Sequence, residues 1–273
     1  MTSRGSFTAD RLFEAGAGAG PILGIDSGFE LSAAAILSDG RLLAESTVSS
    51  ASHCAGLPGQ VSELLETARL SFADLRGFAV GLGPGSYTGL RVGLSYVKGL
   101  AQVLSVPVVG VASLDALALA AASFRAAPVG SFVCPVVDAR RGEIYTALYR
   151  VGPDALEKVI DDLVTEPAHF RSHLEGDVLL VREAKVYEVA SVLDSGKVRL
   201  DVLDAGAIAV SGRFVAALGA ARVAAGESDL LAMLEPRYVR SIEATFKFAR
   251  ADSPTQRRRT YGGHRGSTGS TAC

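Results

Sequence analysis

The sequence predicts an α/β protein in which one βββαβα order of elements is followed by a second. Three observations predict it. Short apolar runs bounded by glycine, proline and other turn residues alternate with longer segments of helical periodicity. Two of those runs, Ile22-Leu23-Gly24-Ile25-Asp26 and Phe132 to Asp138, end in an aspartate. Each is followed by a polar turn, two further strand-like segments and a helix.

In the first half, Pro21 opens the Ile22 to Asp26 strand, Leu31 to Leu37 supplies a second, and the Ser38-Asp39-Gly40 turn leads into a third from Arg41 to about Val48. A helix runs from about Pro58 to Leu70 with Val61, Leu64, Leu65 and Ala68 on one face. Phe78-Ala79-Val80 is then a short buried strand, and a Gly-Pro-Gly turn delivers the chain to Ser86, which stands where an N-cap would. The helix that follows reaches Leu104, and Pro107 forbids its extension.

Val108 to Val111 and a helix from Leu114 to Ala122 form the crossing between the halves. Beyond it come the Phe132 to Val137 strand ending at Asp138, a hairpin partner from Glu143 to Tyr149, and a third strand from Leu156 to Ile160. A helix near Pro167 to Leu174, a strand from Val178 to Val181 and a helix from Glu183 to Leu193 complete the repeat. These features divide the chain into a flexible leader (1–20), a first domain (21–112), a second domain (113–242) whose alanine-rich helix at about 205–225 returns toward the first, and a disordered basic tail (243–273). Two duplicated α/β domains facing a cleft are the architecture of the actin, Hsp70 and sugar-kinase (ASKHA) fold.

Composition narrows the function. At 273 residues, 48% hydrophobic and with a net charge of −2, the chain can bury one large core or two modest ones and has no electrostatic signature of a nucleic-acid binder. Arginine is concentrated in the tail, so the globular part is more acidic still. No apolar run approaches the roughly 18 residues of a membrane helix, and the N-terminus carries Arg4, Asp10, Arg11 and Glu14 where a signal peptide has its apolar core. A cytoplasmic protein is expected. Cys54, Cys134 and Cys273 are scattered and odd in number, which argues against a disulfide framework or zinc ribbon.

Gly81, Gly83 and Gly85 admit two meanings: a phosphate cradle at a helix N-terminus, or a tight turn. No Lys-Ser or Lys-Thr pair follows, and Pro84 removes one amide donor. Asp26 likewise is either a group that helps hold metal and phosphate or a turn former. Asp26, Ser27, Gly83, Gly85 and Asp138 are the candidate nucleotide-binding residues. Against them, Arg182-Glu183-Ala184-Lys185 offers no glycine at the corresponding turn of the second half. No cofactor is therefore expected from this chain alone, and a nucleotide only at a subunit interface. His169 and His173 have i, i+4 spacing without a third ligand, and no metal site or catalytic constellation emerges. Gly85, Gly89 and Gly93 recur every four residues, which leaves one helix face flat; each glycine costs on the order of 1 kcal/mol against alanine, so close approach by another backbone is expected there.

At these residues the chain resembles the TsaB (YeaZ) family. The family's I-L-x-I-D-[ST] is Ile22 to Ser27, its G-x-G-P-G-S-[FY]-T-G-L-R-[IV]-G is met throughout Gly81 to Gly93, and K-G-L-A follows at Lys98 to Ala101. Its D-A-R-x-G-E-[IV]-Y falls on Asp138 to Tyr145 and its P-x-Y-[LV]-R on Pro236 to Arg240. The family's H-S and L-L-P are here His53-Cys54 and Leu57-Pro58-Gly59. Where the related transferase TsaD has a V-N-H-x-E-G-H metal motif, this chain reads Val111-Ala112-Ser113-Leu114-Asp115-Ala116-Leu117. The resemblance implies a non-catalytic subunit for threonylcarbamoyl transfer to adenosine 37 of tRNA, with a TsaD-like transferase and a TsaE-like ATPase as partners, tRNA met indirectly, and a homodimer when alone. It implies an interface on the two helices of the first domain, at His53, Leu57, Val61, Leu64, Leu65, Gly85, Gly89, Val92, Gly93 and Tyr96. The alternative is a small-molecule kinase or ATPase of the same fold using Asp26, Asp138 and the glycine turn.

Overall fold

The computed structural model describes residues 5–49, 53–207 and 212–239, with backbone alone at 53–55 and 207. Its first sheet is built from β1 (Pro21–Asp26), β2 (Leu31–Ser38), β3 (Arg41–Ser49), β4 (Gly77–Gly81) and β5 (Val108–Val111) in the order β3-β2-β1-β4-β5. The second uses β6 (Phe132–Asp138), β7 (Ile144–Val151), β8 (Leu156–Thr165), β9 (Gly176–Arg182) and β10 (Val198–Asp204) in the order β10-β9-β6-β7-β8. Read from the other edge, the second order is that of the first. In both, the hairpin strands pair antiparallel and the last two strands add in parallel. This is the duplicated ASKHA arrangement, with one more strand in each half than the expected βββαβα.

Strand alternation explains the layering. In β1, Leu23 and Ile25 face α2 (His53–Ala68) and α3 (Tyr87–Leu104), whose Leu57, Val61, Leu94 and Val97 complete an outer core. Ile22 faces the opposite way, into a core shared with α4 (Ser113–Arg125) and α7 (Gly212–Ala224). Gly24 lies under Ala216 of α7 so closely that a Cβ would collide with its backbone. The second sheet gives Val133, Val137, Leu179 and Val181 to that shared core, and Cys134, Val136, Val178 and Leu180 to a core under α5 (Pro167–Phe170) and α6 (Val189–Leu193). Helices α4 and α7 thus pack on each other between the sheets, α7 on the first and α4 on the second. Alanine dominates both helices, because sandwiched helices need small side chains for close packing.

Several elements differ from the sequence reading. The leader is ordered over its described residues: Phe7 is buried and its N–H donates to the Ala127 carbonyl at 2.9 Å, α1 (Asp10–Ala15) follows, and Phe13 meets Phe214 at 5.8 Å. The Gly-Ala run at 16–20 drew attention away from two aromatic anchors. Val108–Val111 is a strand of the first sheet as well as a crossing. Val198–Asp204 is a strand the reading overlooked, although Val198, Leu200 and Val202 alternate with Arg199 and Asp201. The alanine-rich helix consequently starts at Gly212, after a 3-10 turn at Ala205–Ala207. The helices expected at 167–174 and 183–193 are broken into single turns. The 243–273 tail lies outside the described residues. No helix among those described is long and apolar enough to cross a membrane.

The glycine face of α3 packs inside the molecule. Ser86 caps the helix by accepting from the Gly89 N–H at 3.3 Å, and the turn Ser27-Gly28 runs along the face. A Cβ at Gly85 would strike the Gly28 carbonyl, one at Gly89 the Ser27 carbonyl oxygen, and one at Gly93 the Ser27 hydroxyl. Replacing Gly89 by alanine is therefore expected to cost about 1–3 kcal/mol through overpacking, despite alanine's better helix propensity. A thermal melt of G89A at or above that of the unsubstituted chain would contradict this packing.

Candidate cleft and strand-end site

The strand ends of β1 and β6 approach one another across a cleft of about 360 Å³. Its lining includes Gly28, Glu30, Tyr87, Asp138, Tyr145 and Glu183. Gly85 and Asp138 of the five candidate nucleotide residues line it; Asp26, Ser27 and Gly83 do not. Asp26 is fully buried beneath, where its Oδ1 accepts from the Gly28 N–H at 3.0 Å. A Cβ at Gly81 would come within 2.6 Å of the Asp26 carboxyl carbon, so that glycine makes room for this carboxylate. Ser27 donates its hydroxyl to the Gly89 carbonyl at 2.8 Å. Gly83, at φ +95°, donates its N–H to Ser113 Oγ at 3.0 Å and accepts from the Ser113 N–H at 2.9 Å. These residues are committed to building the turn.

Asp138 forms a turn of its own, its Oδ1 accepting from the Arg140 N–H at 2.8 Å and its Oδ2 pairing with the Arg140 guanidinium at 3.1 Å. The group that joins the two strand ends is Glu183, which stands just after β9. Its Oε1 accepts from the Glu30 N–H at 2.9 Å and its Oε2 from the Asp138 N–H at 3.1 Å. Burial pushes its carboxyl above the usual range, against the downward pull of those two N–H groups and of Lys185. The sequence reading registered the missing glycine at this turn and overlooked what replaced it. The signal was a charged residue directly after an apolar strand.

The stretch aligned with the TsaD metal motif is committed elsewhere as well. Ser113 holds the glycine turn, and Leu117 is buried in the shared core. Asp115 Oδ1 pairs with Lys158 at 2.6 Å and accepts from the Tyr149 hydroxyl at 2.7 Å. Lys158 also reaches Asp162 at 2.9 Å, whose other oxygen lies 3.3 Å from Arg237. Burial and the neighbouring Asp115 raise the Tyr149 phenol far above its ordinary range. Among the described residues no group of three or more His, Cys, Asp or Glu is placed to hold a metal. His173 packs on Phe170 at 5.5 Å.

The interface expected on the helices needs correction. Leu57, Val61, Leu64 and Leu65 are buried against the first sheet, and Gly85, Gly89 and Gly93 face Ser27-Gly28. Apolar periodicity marked the inner side of α2, not its outer one. Val92 and Tyr96 are half-buried, and the His53 side chain lies outside the described residues, as does Arg240. The exposed surface of α2 carries Gly59, Ser62, Glu63 and Glu66; that of α3 carries Ser95, Gly99 and Val103.

The sequence pattern of one family, TsaD: tRNA N6-adenosine threonylcarbamoyltransferase, matches residues 45–241. The chain belongs to this family. Within it, the chain is 35% identical over 142 residues to the tRNA threonylcarbamoyladenosine biosynthesis protein TsaB of Bacillus subtilis, covering 52% of this chain and 60% of that protein. It is 34% identical over 129 residues to TsaB of Escherichia coli, covering 47% and 54%. The matched region thus spans little more than half the length of these relatives. YeaZ from Pseudomonas aeruginosa superposes with a TM-score of 0.66 at 24% identity, over 80% of this chain and 99% of that one, a likeness of fold.

The raised value at Glu183 fixes a sign. A group whose folded-state pKa lies above its unfolded value contributes stability that is fully present below the unfolded value, about pH 4.3 for glutamate, and is lost as pH rises through the folded one. Chemical denaturation across that window should show the stability of the unsubstituted chain falling relative to E183Q, then running parallel to it at higher pH. A gap that widens in favour of the unsubstituted chain as pH rises would refute the direction.

Proposed function

We propose that this chain is a non-catalytic subunit in N6-threonylcarbamoyl addition to adenosine 37 of tRNA, acting in the cytoplasm by holding a TsaD-like transferase in its active arrangement together with a TsaE-like ATPase. The observation that carries this reading is the fate of the metal-motif stretch: Ser113, Asp115 and Leu117 serve a turn, an ion pair and the core. A chain that keeps the family's fold while spending those positions on its own structure retains a surface to offer, and tRNA would be met through the assembled complex.

The surface that suits this role is the outer side of α2 and α3. On α3, Val92, Tyr96, Gly99 and Val103 are spaced four, three and four apart, so they form one stripe; Val103 is 81% exposed. Among the described residues neither Gly99 nor Gly59 on α2 has a neighbour within 4 Å of a Cβ position, so a partner helix could approach both closely. With no transferase present, the same stripe would pair with a second copy about a two-fold axis.

Reconstitution tests the reading. Modification of tRNA by the transferase and ATPase should require this chain, and equal product without it would sink the proposal. Tight ATP binding by the isolated chain would instead favour a kinase or ATPase. A sharper test is G99L, which improves helix propensity by roughly 0.5–1 kcal/mol and whose Cβ has no described neighbour within 4 Å, so its melting temperature should be unchanged or higher. Its association with the transferase should weaken by at least about tenfold, equivalent to about 1.4 kcal/mol. Unchanged affinity would place the interface elsewhere.

A further inference from the structure

The floor of the cleft is closed by one side chain that meets both halves. Glu30 follows β1 in the first half, and Asp138 ends β6 in the second. Their two N–H groups converge, 2.9 and 3.1 Å away, on the two oxygens of one carboxylate, which projects from Glu183 at the end of β9. That carboxylate is buried, 7% exposed, while its own backbone N–H is tied to the Val136 carbonyl at 3.1 Å, so the side chain is presented from a fixed point. Lys185, two residues on, pairs with the Glu30 carboxylate at 3.4 Å and so supports the same junction. Two backbone N–H groups from separate segments thus face the two oxygens of one carboxylate, the donor type that also lines anion-binding concavities.

We infer that the junction of the two halves is an oxyanion site occupied from within, with Glu183 as its built-in ligand. The carboxylate bridges the two strand ends as a bound carboxylate or phosphoryl group would, and it locks the halves together while denying the position to external anions. The cleft of the intact chain accordingly has no vacancy for a phosphoryl group at its floor. Removing the side chain beyond Cβ should leave the two N–H donors facing a cavity of carboxylate size, open to a small oxyanion from solution.

The inference concerns the isolated chain and stands or falls separately from the partner role proposed above. Its test is thermal unfolding of the full chain, E183A and E183Q in sodium chloride, sodium formate, sodium acetate and sodium phosphate at equal ionic strength and fixed pH. E183A should melt several degrees below the unsubstituted chain in chloride and should recover at least half of that loss, saturably, in one or more of the oxyanions. The unsubstituted chain and E183Q, whose side chains fill the site, should respond to the oxyanions no more than to chloride. Should E183A not fold in chloride, its refolding yield in formate against chloride reads the same dependence. The inference is overturned if E183A melts with the unsubstituted chain, if no oxyanion restores it, or if all three proteins gain equally.

Discussion

The contact on which the rest of this molecule depends is the seating of α3 against the turn that follows β1. The helix approaches Ser27 and Gly28 so closely that only hydrogen fits at Gly89 and Gly93 on its face and at Gly85 just before its cap. Ser27 completes the join by donating to the Gly89 carbonyl within the helix. This contact orders the end of β1, which sets Asp26 beneath the cleft and carries the Gly28 to Glu30 segment to its rim. Because the N-terminal turn of α3 is fixed in the same step, the Gly83 turn reaches Ser113 and couples the first half to α4. A cost of helix propensity at the glycines is offset by this long-range backbone contact.

The second half reaches the cleft by different means. Where the first half brings glycine and backbone to its strand end, the second brings Glu183, whose carboxylate gathers N–H groups from both sides. The polar cluster of Asp115, Tyr149, Lys158, Asp162 and Arg237 repeats the theme at the start of α4: charged groups pair internally across elements. Both arrangements use charged groups to hold the chain's own elements together. The outer side of α2 and α3, where Gly59, Gly99 and Val103 are exposed, takes no part in either arrangement.

Much of this was legible in the sequence. The strand-end aspartates, the Ser86 cap, the stop before Pro107 and the repeated order of elements follow from local rules about periodicity, capping and proline. The leader was misread because its Gly-Ala run at 16–20 reads as flexible while Phe7 and Phe13 find their partners only in the tertiary structure, and β10 was overlooked although its alternation is plain. The interface was misplaced for a more general reason. Apolar residues at helical spacing, such as Val61, Leu64 and Leu65, identify the face that is buried, and burial in the chain's own core is the commoner fate.

By itself the sequence determined the fold class, the family and the place of the Gly81 to Ser86 turn, because these rest on periodicity, spacing and the order of elements along the chain. Only the tertiary structure decided what the flat face of α3 packs against and what stands at the missing glycine turn. A glycine every four residues requires close approach without naming the neighbour, and Ser27 lies 62 positions from Gly89. Glu183 likewise has its two N–H donors 153 and 45 residues away, so its role exists only once both halves have folded around it.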